Sequence, residues 1–238
     1  MRADAVRRAL RTELEAARAR GAEPVRVVDV GGGTGGWAVP LAEFGAAVTV
    51  IDPSPDALAN LRRRAVDAGV AELITAVQGD TEALADCVPS GGADLVLGHG
   101  ILEVVDDVGA ALAALRAATA PGGAISLLVA NKYATLLRMV LAGRVIEAHR
   151  LLDDPDGAPA GDILARRFDV DSLRTALEEA GLEVSSLHGY GVLADLVPGA
   201  TAEDPGVAEA LAQLELVAAG TSPLREMAAQ LHALARPR

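Results

Sequence analysis

Two hydrophobic patterns alternate along the first half of the chain. Short apolar runs, rich in valine, leucine and isoleucine, occupy residues 25–30, 46–51, 73–77, 93–98 and 124–129. They are the length of strands, and their near-continuous apolar character is typical of strands that are buried on both faces. Segments with helical spacing of apolar residues separate them. This alternation predicts a mostly parallel sheet with helices on both faces.

The helical segments have recognisable starts and stops. Helices are predicted over residues 3–20, 37–44, 56–68 and 107–119. The first is amphipathic, and Ser54 followed by Pro55 predicts a capped start for the third, which Gly69 ends. A sharp turn is predicted at residues 120–123, before the fifth strand.

The regular alternation ends at Asn131. Two short helices are predicted over 134–142 and 144–152, followed by a loop rich in Asp, Pro and Gly from Asp153 to Gly161. Because binding crevices lie at the carboxyl ends of parallel strands, we expect the helical insertion at 131–167 to lie over a ligand.

The alternation then resumes. A helix is predicted from Asp169 to Gly181, a sixth strand over 182–187, a helix over 203–219 and a final edge strand over 231–235. The whole pattern predicts a Rossmann-like, doubly wound α/β fold. Its sheet has seven mostly parallel strands, and residues 1–238 form a single domain.

Composition narrows the function classes. Aromatic residues make up only 2% of the 238 residues, so the core is expected to consist of alanine, valine and leucine. The formal net charge of −12 opposes binding to a phosphate backbone. A single cysteine, Cys87, excludes an internal disulfide. With no apolar span and no signal-peptide pattern, a cytoplasmic location away from membranes is expected, and the oligomeric state is left open.

The glycine cluster after the first strand carries the clearest chemistry. Gly31, Gly33 and Gly36 satisfy the dinucleotide pattern G-x-G-x-x-G. The same loop satisfies D-x-G-x-G-x-G through Asp29, Gly31, Gly33 and Gly35. Both patterns supply backbone without side chains, against which a ligand can lie. A carboxylate at Asp29 serves an ammonium group but gains nothing beside a pyrophosphate.

Acids also close the second and third predicted strands. Asp52, followed by Pro53, can accept hydrogen bonds from ribose hydroxyls, as both NAD and S-adenosylmethionine (SAM) require. Asp80, followed by Thr81, is not part of the NAD pattern. Three acids at three consecutive strand ends favour SAM, with a nicotinamide cofactor as the alternative.

The glycine loop resembles motif I of class I SAM-dependent methyltransferases. Two further stretches agree with this resemblance: residues 98–104, after strand four, and the Pro-Gly-Gly of residues 121–123. The resemblance implies that Asp80 faces the adenine of SAM. It also implies that His99 and Gly100 lie in a loop against the methionine part, with S-adenosylhomocysteine (SAH) as the product.

The downstream half resembles the bacterial tRNA 5-carboxymethoxyuridine methyltransferases. Residues 99–105 are similar to their H-x-V-L-E-W-V stretch, with Val104 in place of the tryptophan. Residues 131–143 are similar to their N-x-x-x-L-L…V-x-G-N segment. The resemblance implies a modified nucleoside or tRNA as acceptor, which the net charge does not favour.

Candidate acceptor-side residues follow from this reading. His99 is the best-placed candidate for a general base, but the pattern favours a hydrogen-bonded residue that lines the cofactor pocket. His149 either faces the acceptor or lies on an exposed helix face. Basic and aromatic residues of the insertion form either an anion-binding lid or a solvated helical face: Lys132, Tyr133, Arg138, Arg144, Arg166 and Arg167. No metal site is indicated.

The predicted function is transfer of the SAM methyl group to an oxygen, nitrogen or carboxylate of a small molecule or modified nucleoside. The displacement is in line, so alignment supplies much of the rate. Two alternatives remain open at this point: a non-catalytic SAM-binding or scaffold protein, and a nicotinamide-dependent oxidoreductase.

Overall fold

A computed structural model describes residues 5–154, 156, 162–197 and 204–238. Its centre is a seven-stranded sheet with the order β3-β2-β1-β4-β5-β7-β6. The strands are β1 Arg26–Val30, β2 Ala47–Asp52, β3 Ile74–Gln78, β4 Ala93–His99, β5 Thr119–Ala130, β6 Leu182–Tyr190 and β7 Gln230–Pro237. Only β7 runs antiparallel to its neighbours. The predicted doubly wound, mostly parallel fold is therefore confirmed.

Helices cover both faces of this sheet. They are α1 Ala5–Ala19, α2 Ala38–Glu43, α3 Pro55–Asp67, α4 Leu84–Cys87, α5 Val108–Ala118, α6 Lys132–Leu141, α7 Val145–Asp153, α8 Val170–Glu179 and α9 Pro205–Gly220. Short 3₁₀ turns occupy Ala71–Leu73, Ala194–Leu196 and Arg225–Met227. None of the helices in the described part of the chain combines the length and apolarity needed to cross a bilayer.

The core consists of one apolar layer on each face of the sheet. On one face, Leu112 and Leu115 of α5 and Leu173 of α8 pack against strand residues such as Val96. On the other, helices α1, α2 and α3 cover Leu97 and its neighbours on the sheet. Side chains alternate between the faces along each strand, so residues two apart on β4 share a layer.

Local sequence signals account for several helix starts. The Ser54 hydroxyl accepts a hydrogen bond from the Ala57 amide, as the predicted cap at the start of α3 requires. Asp107 caps α5 in the same way, through the Ala110 amide. Asn131 caps α6 and also donates from its side-chain amide to the carbonyls of Glu226 and Ala228.

Two predicted features differ from the structure. The last strand was expected at an edge over 231–235, but β7 lies between β5 and β6, which leaves β6 as the edge strand. The turn expected at 120–123 is an irregularity within β5, because Ala93 pairs with Thr119 while Leu95 pairs with Ala124. Both differences arise from pairing between distant segments rather than from local sequence.

The helical insertion begins where β5 ends. Helices α6 and α7 pack against each other, with Met139 and Leu151 in a small core of their own. Its far end contacts the loop after β4: the Ala165 amide donates to the Glu103 carbonyl, at 2.9 Å. Residues 155 and 157–161 of the predicted loop lie outside the described residues.

Candidate functional site

Strand order places one crevice at the carboxyl ends of β1 and β4. From β1 the chain continues outward to β2 and β3, whereas from β4 it continues in the opposite direction to β5. The connections after β1 and β4 therefore diverge from the point between these two strands. In doubly wound sheets ligands bind at such a switch point. The glycine loop follows β1 and the His99 segment follows β4, so both predicted ligand-binding loops line this crevice.

The glycine loop needs glycine for conformation and for space. Gly31, Gly33 and Gly35 have positive φ angles of 70°, 54° and 79°. A methyl group on Gly31 would fall 2.5 Å from the Ile101 Cγ2 atom, so the loop after β4 lies directly against the glycine loop. The amides of Gly31, Gly33 and Gly35 bond within the chain, to the Ile51 carbonyl, the Asp52 carboxylate and the Gly32 carbonyl. The loop is therefore held in one shape, and at these positions it offers a ligand a surface without side chains.

Asp29 is the most unusual group in the crevice. It lies at 1% exposure beneath the glycine loop, and neither carboxylate oxygen has a hydrogen-bond partner. Its Oδ2 is 2.6 Å from the position that a Cβ on Gly32 would take. Burial, with a smaller contribution from the charge of Asp52, raises the pKa of Asp29 from 3.8 to about 7. A buried carboxylate in this state is a strong acceptor for a cationic group.

Asp52 ends β2 and organises the loop from the other side. Its Oδ2 accepts from the Gly33 amide at 2.8 Å, and its Oδ1 accepts from the Ser54 amide at 2.9 Å. Pro53 lies between these two contacts in the chain. Each carboxylate oxygen can take more than one hydrogen bond, so ribose hydroxyls can be added to this arrangement.

Asp80 and Thr81 follow β3 and border another part of the sheet's carboxyl edge. A cleft of about 440 Å³ lies between them and the loop at Val104–Asp107. Asp80 is exposed, and its Oδ1 accepts from the amides of Glu82 and Ala83, at 2.9 and 3.1 Å. The other oxygen, Oδ2, is available to an amino group of a ligand in the cleft.

His99 closes β4 beside Trp37. The two rings meet edge to face, with centroids 4.9 Å apart. The His99 Nε2 atom lies 2.8 Å from the Ser126 hydroxyl, whereas Nδ1 is buried without a partner. Burial, with the nearby His232, holds the pKa of His99 well below its usual value, so the ring is neutral at pH 7. Gly100 follows in a positive-φ turn and donates to the Leu128 carbonyl.

Glu103 links the loop after β4 to the insertion. It is buried, and its Oε1 accepts from the Ala130 amide at 2.6 Å. Burial raises the pKa of Glu103, while that hydrogen bond and the charge of Arg167 act in the opposite direction. This contact fixes the start of the insertion relative to the crevice.

The acceptor-side candidates do not form a single cluster of cations. The Lys132 ammonium group donates to the Asp154 carbonyl, and Arg144 pairs with Glu147. Arg166 donates to the Leu102 and Val105 carbonyls, and Arg167 pairs with Asp162. Tyr133, Arg138 and His149 lie on exposed helix faces.

Three polar residues of the sheet were not singled out from the sequence: Ser126 and His232, which are buried, and His188, which is half-buried. Ser126 interrupts the apolar second half of β5, which is the signal that could have drawn attention to it. Ser126 is 27 residues from His99 and 106 residues from His232 in the chain, so their proximity depends on strand pairing, and no local motif records it.

The charge of the crevice distinguishes the candidate cofactors. Asp29, Asp52 and Asp80 lie at three neighbouring strand ends, and a buried carboxylate directly beneath the loop would repel a pyrophosphate. The same carboxylate, with two unpartnered oxygens, suits a ligand that carries an ammonium group. Fold and site together define a protein of the class I SAM-dependent methyltransferase type.

Comparisons with known proteins agree with this class. The family model described as "Methyltransferase domain" matches residues 2–187, and the chain belongs to this family. The tRNA 5-carboxymethoxyuridine methyltransferase of Escherichia coli K12 is 31% identical over 123 residues, which are 52% of this chain and 47% of the relative. The ubiquinone biosynthesis O-methyltransferase of Methylocella silvestris is 31% identical over 74% of this chain and 64% of that relative. The chain thus spans about half the length of the first relative.

A solved structure shows the same fold. The magnesium protoporphyrin IX methyltransferase from Synechocystis, determined with bound SAH, has a TM-score of 0.60 at 16% identity. The superposition covers 97% of this chain and 83% of that one. The predicted family and fold, with SAM as the cofactor of the family, are confirmed.

Proposed function

We propose that this protein transfers the methyl group of SAM to an oxygen, nitrogen or carboxylate of a small molecule or modified nucleoside. The observation that carries the proposal is the buried, unpartnered carboxylate of Asp29 beneath a glycine loop at the switch point. An acid in this state stabilises a bound ammonium group and disfavours a pyrophosphate. SAM, when bound, supplies a methyl group activated by a sulfonium.

Each residue of the site has a distinct binding role in this proposal. Asp29 accepts the ammonium group, Asp52 accepts the ribose hydroxyls, and Asp80 with Thr81 borders the cleft for the adenine. Gly31, Gly33, Gly35, Pro53 and Gly100 shape the backbone around the ligand. The loop is already held in position by the contact between Gly33 and Asp52, so binding requires little ordering of the backbone.

His99 is the proposed group for removing a proton from an acceptor that has one. Its Nε2 is committed to Ser126, so this role falls to Nδ1, which is buried without a partner in the ligand-free protein and has to be uncovered when the acceptor binds. A low pKa keeps the ring neutral and therefore able to accept a proton at pH 7. A hydroxyl or amine acceptor needs this step, whereas an ionised carboxylate acceptor does not.

The charge of the chain favours a small acceptor over tRNA. The net charge is −12, and four cations of the insertion are engaged within the chain: Lys132, Arg144, Arg166 and Arg167. One relative is named for a tRNA nucleoside and the other for ubiquinone biosynthesis, so the family accommodates both types. The insertion at 131–167, with Tyr133, Arg138 and His149 exposed, is the proposed acceptor side.

Calorimetric titration tests the cofactor, and labelled SAM tests the reaction. We expect binding of SAM and SAH, without binding of NADH, and transfer of label to a small-molecule fraction of a cell extract. Purified tRNA serves as the competing acceptor. Binding of NADH without SAM would overturn the proposal in favour of an oxidoreductase.

A non-catalytic SAM-binding protein is the second candidate. It is favoured by the exposure of Tyr133, Arg138 and His149 on helix faces, which leaves the acceptor side without a defined pocket of cations. SAM binding with no label transferred to any small-molecule or tRNA fraction would support this candidate over the first.

A further inference from the structure

Apolar side chains are concentrated on the outer surface of the helical insertion. Of the fifteen large apolar side chains that are exposed in the described part of the chain, seven lie within residues 133–152, on α6 and α7. They are Tyr133, Leu137, Val140, Leu141, Val145, Ile146 and Leu152. A soluble protein seldom exposes such a cluster unless the cluster has a binding role.

The two helices use only part of their apolar surface to pack against each other. Met139 and Leu151 are buried between them. Tyr133, Leu137 and Leu141 recur every four residues on α6, so they form a second stripe, which is exposed to solvent. The pair of helices therefore has an apolar face that the described part of the chain leaves exposed.

The connection between α6 and α7 is the most exposed part of this face. Every residue from 140 to 147 is exposed, and the chain turns at Gly143 with a φ of 75°. Leu141 and Ile146, on either side of the turn, are 80% and 72% exposed. Residues 140–147, termed the hairpin tip, therefore project from the surface of the protein.

Charge distinguishes this hairpin from the rest of the chain. Residues 133–152 contain three arginines and one acid, whereas the whole chain has a net charge of −12. These are Arg138, Arg144, Arg150 and Glu147, and all four are exposed. Arg144 pairs with Glu147, so the excess charge lies on Arg138 and Arg150. Because charges farther away than a Debye length of about 8 Å are largely screened, a surface that meets the hairpin senses mainly this positive charge.

Exposed apolar side chains flanked by arginines suit the surface of an anionic lipid bilayer. The apolar side chains enter the boundary between head groups and acyl chains, while the arginines remain with the lipid phosphates. We infer that the hairpin tip docks this protein on anionic membranes. Such docking requires neither a spanning segment nor a signal peptide, the two features on which the predicted location away from membranes depends.

A second copy of the chain fits this surface less well. In a two-fold symmetric dimer the same patch meets itself, so the arginines of both copies would lie together. Helix α6 has ten residues, and a pair of packed helices of that length offers a face of about 15 Å by about 20 Å, or about 300 Å². A stable protein interface buries about 800 Å² on each partner. A fluid bilayer needs no complementary groove, whereas a rigid protein partner does.

Docking in this way places the acceptor side of the protein at the bilayer. The insertion begins where β5 ends, at the carboxyl edge of the sheet on which the crevice lies. Under the proposed function, this arrangement favours an acceptor that is itself lipid-soluble. That consequence rests on the proposed function, but the docking does not.

Co-sedimentation with vesicles tests the docking. The full-length chain is mixed with vesicles of phosphatidylcholine and phosphatidylglycerol, and separately with vesicles of phosphatidylcholine alone. We expect binding to the anionic vesicles that weakens as salt is added, and binding to the neutral vesicles that is weaker by about tenfold or more. Absence of binding to the anionic vesicles, or equal binding to both kinds, would overturn the inference.

Aspartate substitutions test the hairpin tip itself. Leu141→Asp and Ile146→Asp each place a negative charge among the apolar side chains, and each is expected to weaken binding to anionic vesicles by about tenfold or more. Val66→Asp is the matched control, since Val66 is 65% exposed on α3, outside the insertion. It is expected to bind these vesicles nearly as well as the unchanged protein. Equal weakening by all three substitutions would contradict the role of the tip.

Two further measurements separate the alternatives. The double variant Arg138→Gln, Arg150→Gln removes the excess charge and keeps the apolar side chains, so we expect weaker binding to anionic vesicles; unchanged binding would contradict the role of charge. Sedimentation velocity without vesicles tests for a second copy. A dimer that Ile146→Asp dissociates would assign the tip to self-association and overturn the inference. Calorimetry with SAM tests the proposed function separately, because vesicle binding without SAM binding would leave the docking intact.

Discussion

Replacement of Asp29 by asparagine is expected to stabilise the ligand-free protein and to abolish cofactor binding. The carboxylate is buried with no hydrogen-bond partner, so its ionised form is unfavourable in the folded state. Asparagine has nearly the same shape and is neutral at every pH. The group that weakens the fold is also the one that the ammonium of SAM requires.

The magnitude follows from the shift in the pKa of Asp29. Folding raises this pKa from 3.8 to about 7, which is about three units at about 1.4 kcal/mol each, or about 4 kcal/mol. Between pH 3.8 and pH 7 the folded state binds more protons than the unfolded state, so the free energy of unfolding falls as the pH rises through this window. Above pH 7 the full destabilisation is present.

Urea unfolding at pH 4.5 and pH 8 measures this effect. We expect Asp29→Asn to be more stable than the unchanged protein by up to about 4 kcal/mol at pH 8, and by less than about 1 kcal/mol at pH 4.5. Asp94→Asn is the control, since Asp94 pairs with Arg26 at the opposite end of β4. This control is expected to lose a little stability and to bind SAM normally. If Asp29→Asn were destabilised equally at both pH values, the reasoning from burial would be wrong.

Three further predictions concern Gly31 of the glycine loop, Asp52 and the buried His232. In Gly31→Ala the positive φ and the contact with Ile101 should lower the melting temperature by several degrees. The loss should be smaller when Gly31→Ala is made in an Ile101→Ala background and compared with Ile101→Ala alone; an equal loss would exclude the contact as the cause. Asp52→Asn should weaken SAH binding about tenfold or more in calorimetry, because the contact to Gly33 and the ribose acceptor are both altered; unchanged affinity would refute the role of Asp52. Because the pKa of His232 is lowered in the folded protein, the unfolded chain binds more protons than the folded one from about pH 6.5 downwards, and stability is lost as the pH falls. Between pH 7.5 and pH 5, urea unfolding should show that His232→Gln loses about 2 kcal/mol less stability than the unchanged protein. Equal losses would contradict the lowered pKa of His232.

The sequence predicted those features that depend on local pattern. The strand before the glycine loop, the Ser54 cap and the helices of the insertion each have a signal within a few residues, and the structure contains all of them. Acids at the ends of β1, β2 and β3 could be placed at one edge because parallel strands align their carboxyl ends.

Features that depend on distant pairing could not be predicted. The position of β7 inside the sheet requires antiparallel pairing with both β5 and β6, and no local pattern specifies it. The contacts of Ser126 with His99 and with His232 likewise depend on the register of β5 with β4 and with β7. The absence of hydrogen-bond partners at Asp29 likewise became apparent only from the packing of the loop above it.

The most direct test of the account is the number of protons released when SAH binds at pH 7. Calorimetry in buffers of different ionisation enthalpy measures this number. Since the pKa of Asp29 is about 7 before binding and falls when an ammonium group is added, about half a proton should be released. Binding with no proton release, or no binding of SAH at all, would contradict the assignment of Asp29 as the acceptor of the cofactor's ammonium group.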